Sequence, residues 1–154
     1  MVNRRTTYML IFSLFLSGVF VNAQEIKEEV LWSTTYKEAL QQAKEEKKPV
    51  LVYFKGSDWC APCKKLDTAL FSTDKFKNLA KKNFVLYEAD IPYNKDLVEK
   101  EKLKTNLKLV KKFKVKSYPT LVFINRRQKV LGVKKGMILS EYYYPFFKSI
   151  IAKK

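Results

Sequence analysis

Apolar residues fall into two rhythms along this chain. Residues 49–54 (PVLVYF), 83–89 (NFVLYEA) and 121–124 (LVFI) are nearly unbroken apolar, β-branched and aromatic runs. Runs of that length suit strands buried on both faces. Between them the apolar residues recur at helical spacing. Tyr36, Leu40 and Ala43 follow a capping Thr34 or Thr35, and that helix must stop before Pro49. A second helix starts near Cys60 and carries Leu66, Ala69, Leu70 and Phe71 inward. Ser72, Thr73 and Asp74 break it and cap a shorter stripe of Phe76, Leu79 and Ala80. Residues 93–113, rich in Lys and Glu, present Leu97, Leu103, Leu107, Val110 and Phe113 as the core face of a longer helix. Ser117, Tyr118, Pro119 and Thr120 read as a turn ahead of the third strand. Residues 125–128 turn into a fourth strand over 129–133, and Gly132 and Gly136 punctuate its exit. Ser140 caps a last helix through Ile151, with Tyr143, Phe146, Phe147 and Ile150 available for burial. The alternation predicts an α/β fold, a central mixed β-sheet flanked by helices on both faces.

Length permits little more. At 154 residues and 47% hydrophobic composition the chain can build one ordinary core. The first residues are a separate object. Arg4 and Arg5 open a segment without acids, an apolar run of 14 residues follows at 8–21, and Val21, Asn22 and Ala23 close it. This is the pattern of a secretory leader cleaved after Ala23, which leaves one domain at 24–154. The apolar run is short of the ~20 residues of a membrane-spanning helix; an uncleaved anchor is the competing possibility. Residues 25–32 then run over the surface or add an edge strand. Export to the periplasm or beyond places the cysteines in a compartment where disulfides persist.

The formal net charge is +16, and losing the two leader arginines leaves 29 − 15 = +14. The lysines are spread over several segments, as expected of solvated faces, and no nucleic-acid motif accompanies them. The charge leaves open an acidic protein partner or an anionic surface.

Only two cysteines are present, and both lie in GSDWCAPCKK, as Cys60 and Cys63. Three chemistries compete for them. A disulfide between residues three apart closes a very small loop and constrains the unfolded chain little, so it is a poor staple. A structural zinc site wants four Cys or His ligands, and the chain has no histidine. A redox pair has a positive mechanism. Cys60 lies where strand gives way to helix, where unpaired backbone N–H groups favour a thiolate. Pro62 suits a first helical turn. Cys63, a turn further in, would be the more buried, resolving thiol.

Trp59 to Lys64, WCAPCK behind the strand at 50–54, resembles the active site of thioredoxin-like proteins. The likeness continues in Tyr118-Pro119-Thr120 ahead of another strand and covers residues 36–151 in the family's order of elements. The GSDWC lead-in is most similar to exported bacterial members, including small single-domain forms. The resemblance implies a thioredoxin-like fold and a thiol–disulfide oxidoreductase with Cys60 as nucleophile and Cys63 as resolving thiol, the two joined in the oxidised state. It implies a cis Pro119 facing the cysteines. It also implies a client groove shaped by Trp59, Ala61, Pro62, Tyr118 and Pro119. No metal, flavin or nucleotide is required, since the dithiol itself carries two electrons. The expected partners are protein thiol or disulfide clients and a membrane or periplasmic redox partner. The expected state is a monomer without a lasting membrane span, and nucleic acid is not an expected partner.

Three departures stand out. Thioredoxins carry a buried acid six residues before the first cysteine, and here that place is Phe54. Asp58, Glu88 and Asp90 are the candidate substitutes. The dipeptide between the cysteines is Ala-Pro rather than Gly-Pro, which keeps the proline of reducing members, so reduction is the favoured direction. Residues 93–113 are longer and more charged than the matching family segment. The competing class is a binding module of the same fold, with an inert disulfide and a basic partner surface.

Overall fold

The computed structural model describes residues 32–153, so the leader expected at 1–23 lies outside the described residues. Its elements are α1 (Tyr36–Glu45), β1 (Val50–Lys55), α2 (Ala61–Leu66), a π-helical turn (Asp67–Phe71) and α3 (Asp74–Asn83). Then come β2 (Val85–Asp90), a 3-10 turn (Lys95–Leu97), α4 (Lys100–Lys112), β3 (Thr120–Ile124) and β4 (Val130–Lys135). The chain closes with a 3-10 turn (Ser140–Tyr142) and α5 (Tyr143–Ile151).

The sheet order is β2-β1-β3-β4. β1 runs parallel to β2 and antiparallel to β3, and β3 pairs antiparallel with β4. The parallel pair needs a crossover, which the helices between β1 and β2 supply. Ser33 adds one parallel bridge to Tyr87 at the β2 edge.

Two cores follow from the alternation of β1. Leu51 and Tyr53 face α2, α3 and α5, in a cluster with Cys60, Cys63, Leu70, Phe76 and Phe147. Val50, Val52 and Phe54 face α1 and α4, with Ala39, Ala43 and Leu109. The expected mixed sheet with helices on both faces is the observed architecture.

Local caps set the helix starts. Thr35 makes a capping box with Glu38, and the Thr73 hydroxyl accepts the Phe76 N–H. Other expectations fail in phase. Leu97 and Leu107, expected in the core, are 57% and 42% exposed. Leu97 falls in the 3-10 turn ahead of α4, and α4 buries Asn106 and Leu109 instead. Asn106 is drawn inward because its carboxamide accepts from the Tyr87 hydroxyl and donates to the Asp90 carbonyl. Ala69 is exposed because the π-helical turn rotates the face that α2 would have continued. Ser140 makes no side-chain cap; a 3-10 turn precedes α5.

Candidate active site

β1 delivers the chain into the turn that carries the cysteines. Gly56 is buried at the start of that turn, and its carbonyl accepts the Cys60 N–H at 2.9 Å. A Cβ on Gly56 would stand 2.2 Å from Trp59 Cε2. Glycine is what lets the indole lie flat on the backbone here. The Trp59 Nε1–H donates to the Ile91 carbonyl at 2.8 Å. The indole stacks on Tyr93 at 5.3 Å between centroids and meets Tyr118 edge-on at 5.2 Å.

Cys60 and Cys63 are joined in a disulfide. Cys60 caps α2, its sulfur accepting the Cys63 backbone N–H at 3.2 Å. Cys60 is 2% exposed and Cys63 not at all, so an incoming sulfur can reach only Cys60. Ala61 and Pro62 are exposed on the first turn of α2. The Tyr118–Pro119 bond is cis, and Pro119 is buried ahead of β3. With Lys65 and Ala69, Ala61 and Pro62 line a hollow of about 680 Å3 whose wall also includes Met137, Ile138, Leu139, Ser140 and Glu141. The turn that carries the disulfide thus has aromatic neighbours around Trp59 and, beside Ala61 and Pro62, a largely apolar hollow.

Beneath the cysteines lies Tyr53, not Phe54. Phe54 does not face them; it belongs to the opposite core and packs on Phe113. The β1 residue that does face them is Tyr53, whose hydroxyl donates to the Cys63 carbonyl at 3.2 Å. Side chains alternate along a strand, so counting back from Cys60 through an irregular turn lands one residue out of phase. Behind Tyr53 sits an ion cluster. Lys55 Nζ lies 2.6 Å from Asp67 and 3.4 Å from Glu88, with its side chain 11% exposed. Burial pushes the Tyr53 hydroxyl far above its ordinary value, and the Asp67 charge adds to that. Burial also raises Glu88, against the pull of Lys55. Burial alone would lower Lys55, but the Glu88 and Asp67 carboxylates outweigh it and hold the ammonium charged.

The three candidate acids have other partners. Asp58 turns away from Cys63 and accepts the backbone N–H groups of Tyr93 and Asn94 at 3.0 and 2.8 Å. The Asn94 amide, followed by that of Tyr93, lowers the Asp58 pKa. Asp90 accepts the Ser57 N–H at 2.8 Å. Glu88 is held by Lys55. Of the three, only Glu88 joins the half-buried ion cluster beside Tyr53. Sequence spacing did not reveal Tyr53, Asp67, Tyr93 or the wall at 137–139. Strict alternation within β1 would have identified Tyr53. The others depend on contacts across distant segments. Among the described residues no group of three or more Asp, Glu, Cys or His is placed to hold a metal, and no helix is long and apolar enough to cross a membrane.

Residues 36–150 match the thioredoxin-like domain family. The disulfide bond reductase DsbH of Chlamydia pneumoniae is 35% identical over 98 residues, which are 64% of this chain and 58% of that protein. The thioredoxin-related protein DsbJ of the same organism is 30% identical over 120 residues, 78% of this chain and 34% of that protein. The matched part of this chain thus spans little more than half of one relative and a third of the other. A solved structure of a DsbH oxidoreductase superposes with a TM-score of 0.71 at 30% identity, covering 82% of this chain and 87% of that one. A thioredoxin from Thermus thermophilus, 21% identical, shares the fold with a TM-score of 0.64 over 80% of this chain and 89% of its own.

Proposed function

The chain belongs to the thioredoxin-like domain family, and from that premise we propose that it is an exported thiol–disulfide oxidoreductase working in the reducing direction. The position of one sulfur carries this reading. Cys60 Sγ accepts the Cys63 N–H at 3.2 Å while Cys63 is wholly buried. In the dithiol state the same amide favours a thiolate at Cys60, and the thiolate is the nucleophile. Cys60 Sγ attacks one sulfur of a client disulfide. The client S–S bond breaks, a mixed disulfide forms, and one client thiolate leaves and takes up a proton. Cys63 Sγ then attacks Cys60 Sγ; the mixed disulfide breaks, the second client thiol departs and the Cys60–Cys63 bond closes. Two electrons and two protons pass to the client. A dithiol donor of the envelope, membrane-borne or periplasmic, returns the pair to the reduced state.

Trp59, Ala61, Pro62, Tyr118 and Pro119 form the surface that meets the client, whose extended backbone pairs beside Tyr118 in strand fashion. The reducing direction draws support from the Chlamydia relative named a disulfide bond reductase and from the Ala-Pro dipeptide. The leader at 1–23 directs export, and the mature domain acts as a monomer.

The test is the reduction potential of the pair, obtained by equilibrating the mature protein in graded thiol/disulfide buffers and counting free thiols by alkylation and mass shift. A value near the thioredoxin end, about −270 mV, is expected. A value near −120 mV would reverse the direction. A second reading, a binding module, is favoured by one observation. At the pole opposite the disulfide, Lys44, Lys47, Lys48, Arg126, Arg127 and Lys153 line a hollow of about 430 Å3, with no carboxylate among the described residues of its wall, though Lys48 pairs with Glu46. A pair that stays oxidised in every buffer would promote that reading.

A further inference from the structure

Residues 91–98 connect β2 to α4 over the surface, and their first half is tied to the turn that carries the cysteines. Both oxygens of Asp58 accept amides from this segment, at Tyr93 and Asn94. Trp59 Nε1 donates to Ile91, and the segment's entry is pinned where Asp90 accepts the Ser57 N–H. The turn carrying the nucleophile is therefore stitched to the segment after β2 by three hydrogen bonds and to the end of β2 by a fourth. Beside the exposed Asn94, Lys95 and Asp96, they hold two large apolar side chains out to solvent. Tyr93 is 75% exposed and Leu97 57% exposed, in a chain whose surface is otherwise dominated by lysine. Tyr93 lies nearly parallel to the Trp59 indole, 27° between planes, and Trp59 adjoins Cys60. An aromatic ring fixed in advance costs little further ordering when a ligand arrives.

We propose that Tyr93 is a specificity residue of this site and that Asp58 is the residue that positions it. Together they extend the Trp59 face into an aromatic shelf, which selects client disulfides bearing a large apolar side chain next to the attacked cysteine. This rests on the oxidoreductase reading above. The occupant is a client polypeptide because the shelf is continuous with the surface around Cys60. Its rim carries both signs: Lys64 Nζ reaches the Asp58 carbonyl and Lys95 Nζ the Pro92 carbonyl, while Asp96 stands exposed beside Lys95. Both oxygens of Asp58 are already engaged by backbone amides.

The experiment uses two disulfide-bonded peptides of equal charge, one with Phe and one with Ser beside the cysteine. The wild-type protein is expected to prefer the Phe peptide in kcat/KM, and Tyr93→Ala to shrink that preference roughly 3- to 10-fold, the worth of one ring contact. Asp58→Ala is expected to shrink it as well, through KM rather than kcat. Equal kcat/KM for both peptides in the wild type, or a preference that survives Tyr93→Ala, would overturn the inference. If the protein reduces neither peptide, the oxidoreductase reading fails on its own. The shelf is then judged by fluorescence anisotropy with the same peptides S-alkylated, where equal affinity for Phe and Ser forms overturns it.

Discussion

Gly56→Ala is the sharpest probe of how the site is assembled. The new Cβ would sit 2.2, 2.3 and 2.6 Å from three atoms of the Trp59 indole. Ordinary contact begins near 3.4 Å, so the ring must retreat by about 1 Å. That carries Nε1 beyond hydrogen-bonding range of the Ile91 carbonyl, now 2.8 Å away. The lost bond is worth about 1 kcal/mol, and loosening the contacts with Tyr93 and Tyr118 costs roughly 0.5–1.5 kcal/mol each. Alanine returns about 0.5 kcal/mol by restricting the unfolded chain. The expected net destabilisation is about 2 kcal/mol, or a fall of about 1 M in the urea midpoint at an ordinary slope for a small domain. Tryptophan fluorescence should move with it. The same change made on a Trp59→Ala background should cost under about 0.5 kcal/mol, since the clash is then gone. An unchanged midpoint, or an equal penalty on both backgrounds, would refute the reasoning and locate the effect in the backbone.

Two further outcomes concern the ion cluster behind Tyr53. Lys55→Met leaves Asp67 and Glu88 without their cation. Removing one partner of a fully buried pair costs about 3–5 kcal/mol. These carboxylates are 29% and 32% exposed, so about 2 kcal/mol is expected at pH 7 and less at pH 5, read as urea midpoints; a penalty independent of pH would argue against the cluster. Glu88 itself gives a pH signature. Its folded pKa is raised by burial above the ordinary 4.5, so the folded protein holds this proton more tightly than the unfolded chain does. Its contribution therefore falls as pH rises from 4.5 through the raised folded value. Glu88→Gln should remove that descending portion from a pH series of urea midpoints, and a constant offset across the window would contradict the assignment.

What the sequence disclosed and what it hid divide along the range of the interactions. Thr35 and Thr73 cap their helices through partners three residues away, and the run at 50–54 declares a buried strand by composition alone. The WCAPC turn announces its chemistry because strand, cysteine and proline follow one another directly. Asn106 defeated the helical period because what buries it is a hydroxyl on β2 rather than its own hydropathy. Leu107 lost its place in the core to that one polar residue. Tyr53 was displaced to Phe54 by an irregular turn that spoils counting, and the alternation of the strand restores it. Asp58 looked like a candidate acid for Cys63, since nothing local records that amides 35 and 36 residues away occupy its oxygens.

Those amides have a consequence for how the protein breathes. A backbone hydrogen donated to a carboxylate exchanges with solvent only when that bond opens. Asp58 holds the amides of Tyr93 and Asn94 together, so one movement of a single side chain releases both. A surface connection that would ordinarily fray residue by residue is thus turned into a unit with one opening equilibrium. Its two amides should trade deuterium with a shared protection relative to a free loop, and lose that protection in concert in acid, when the Asp58 carboxylate takes up a proton.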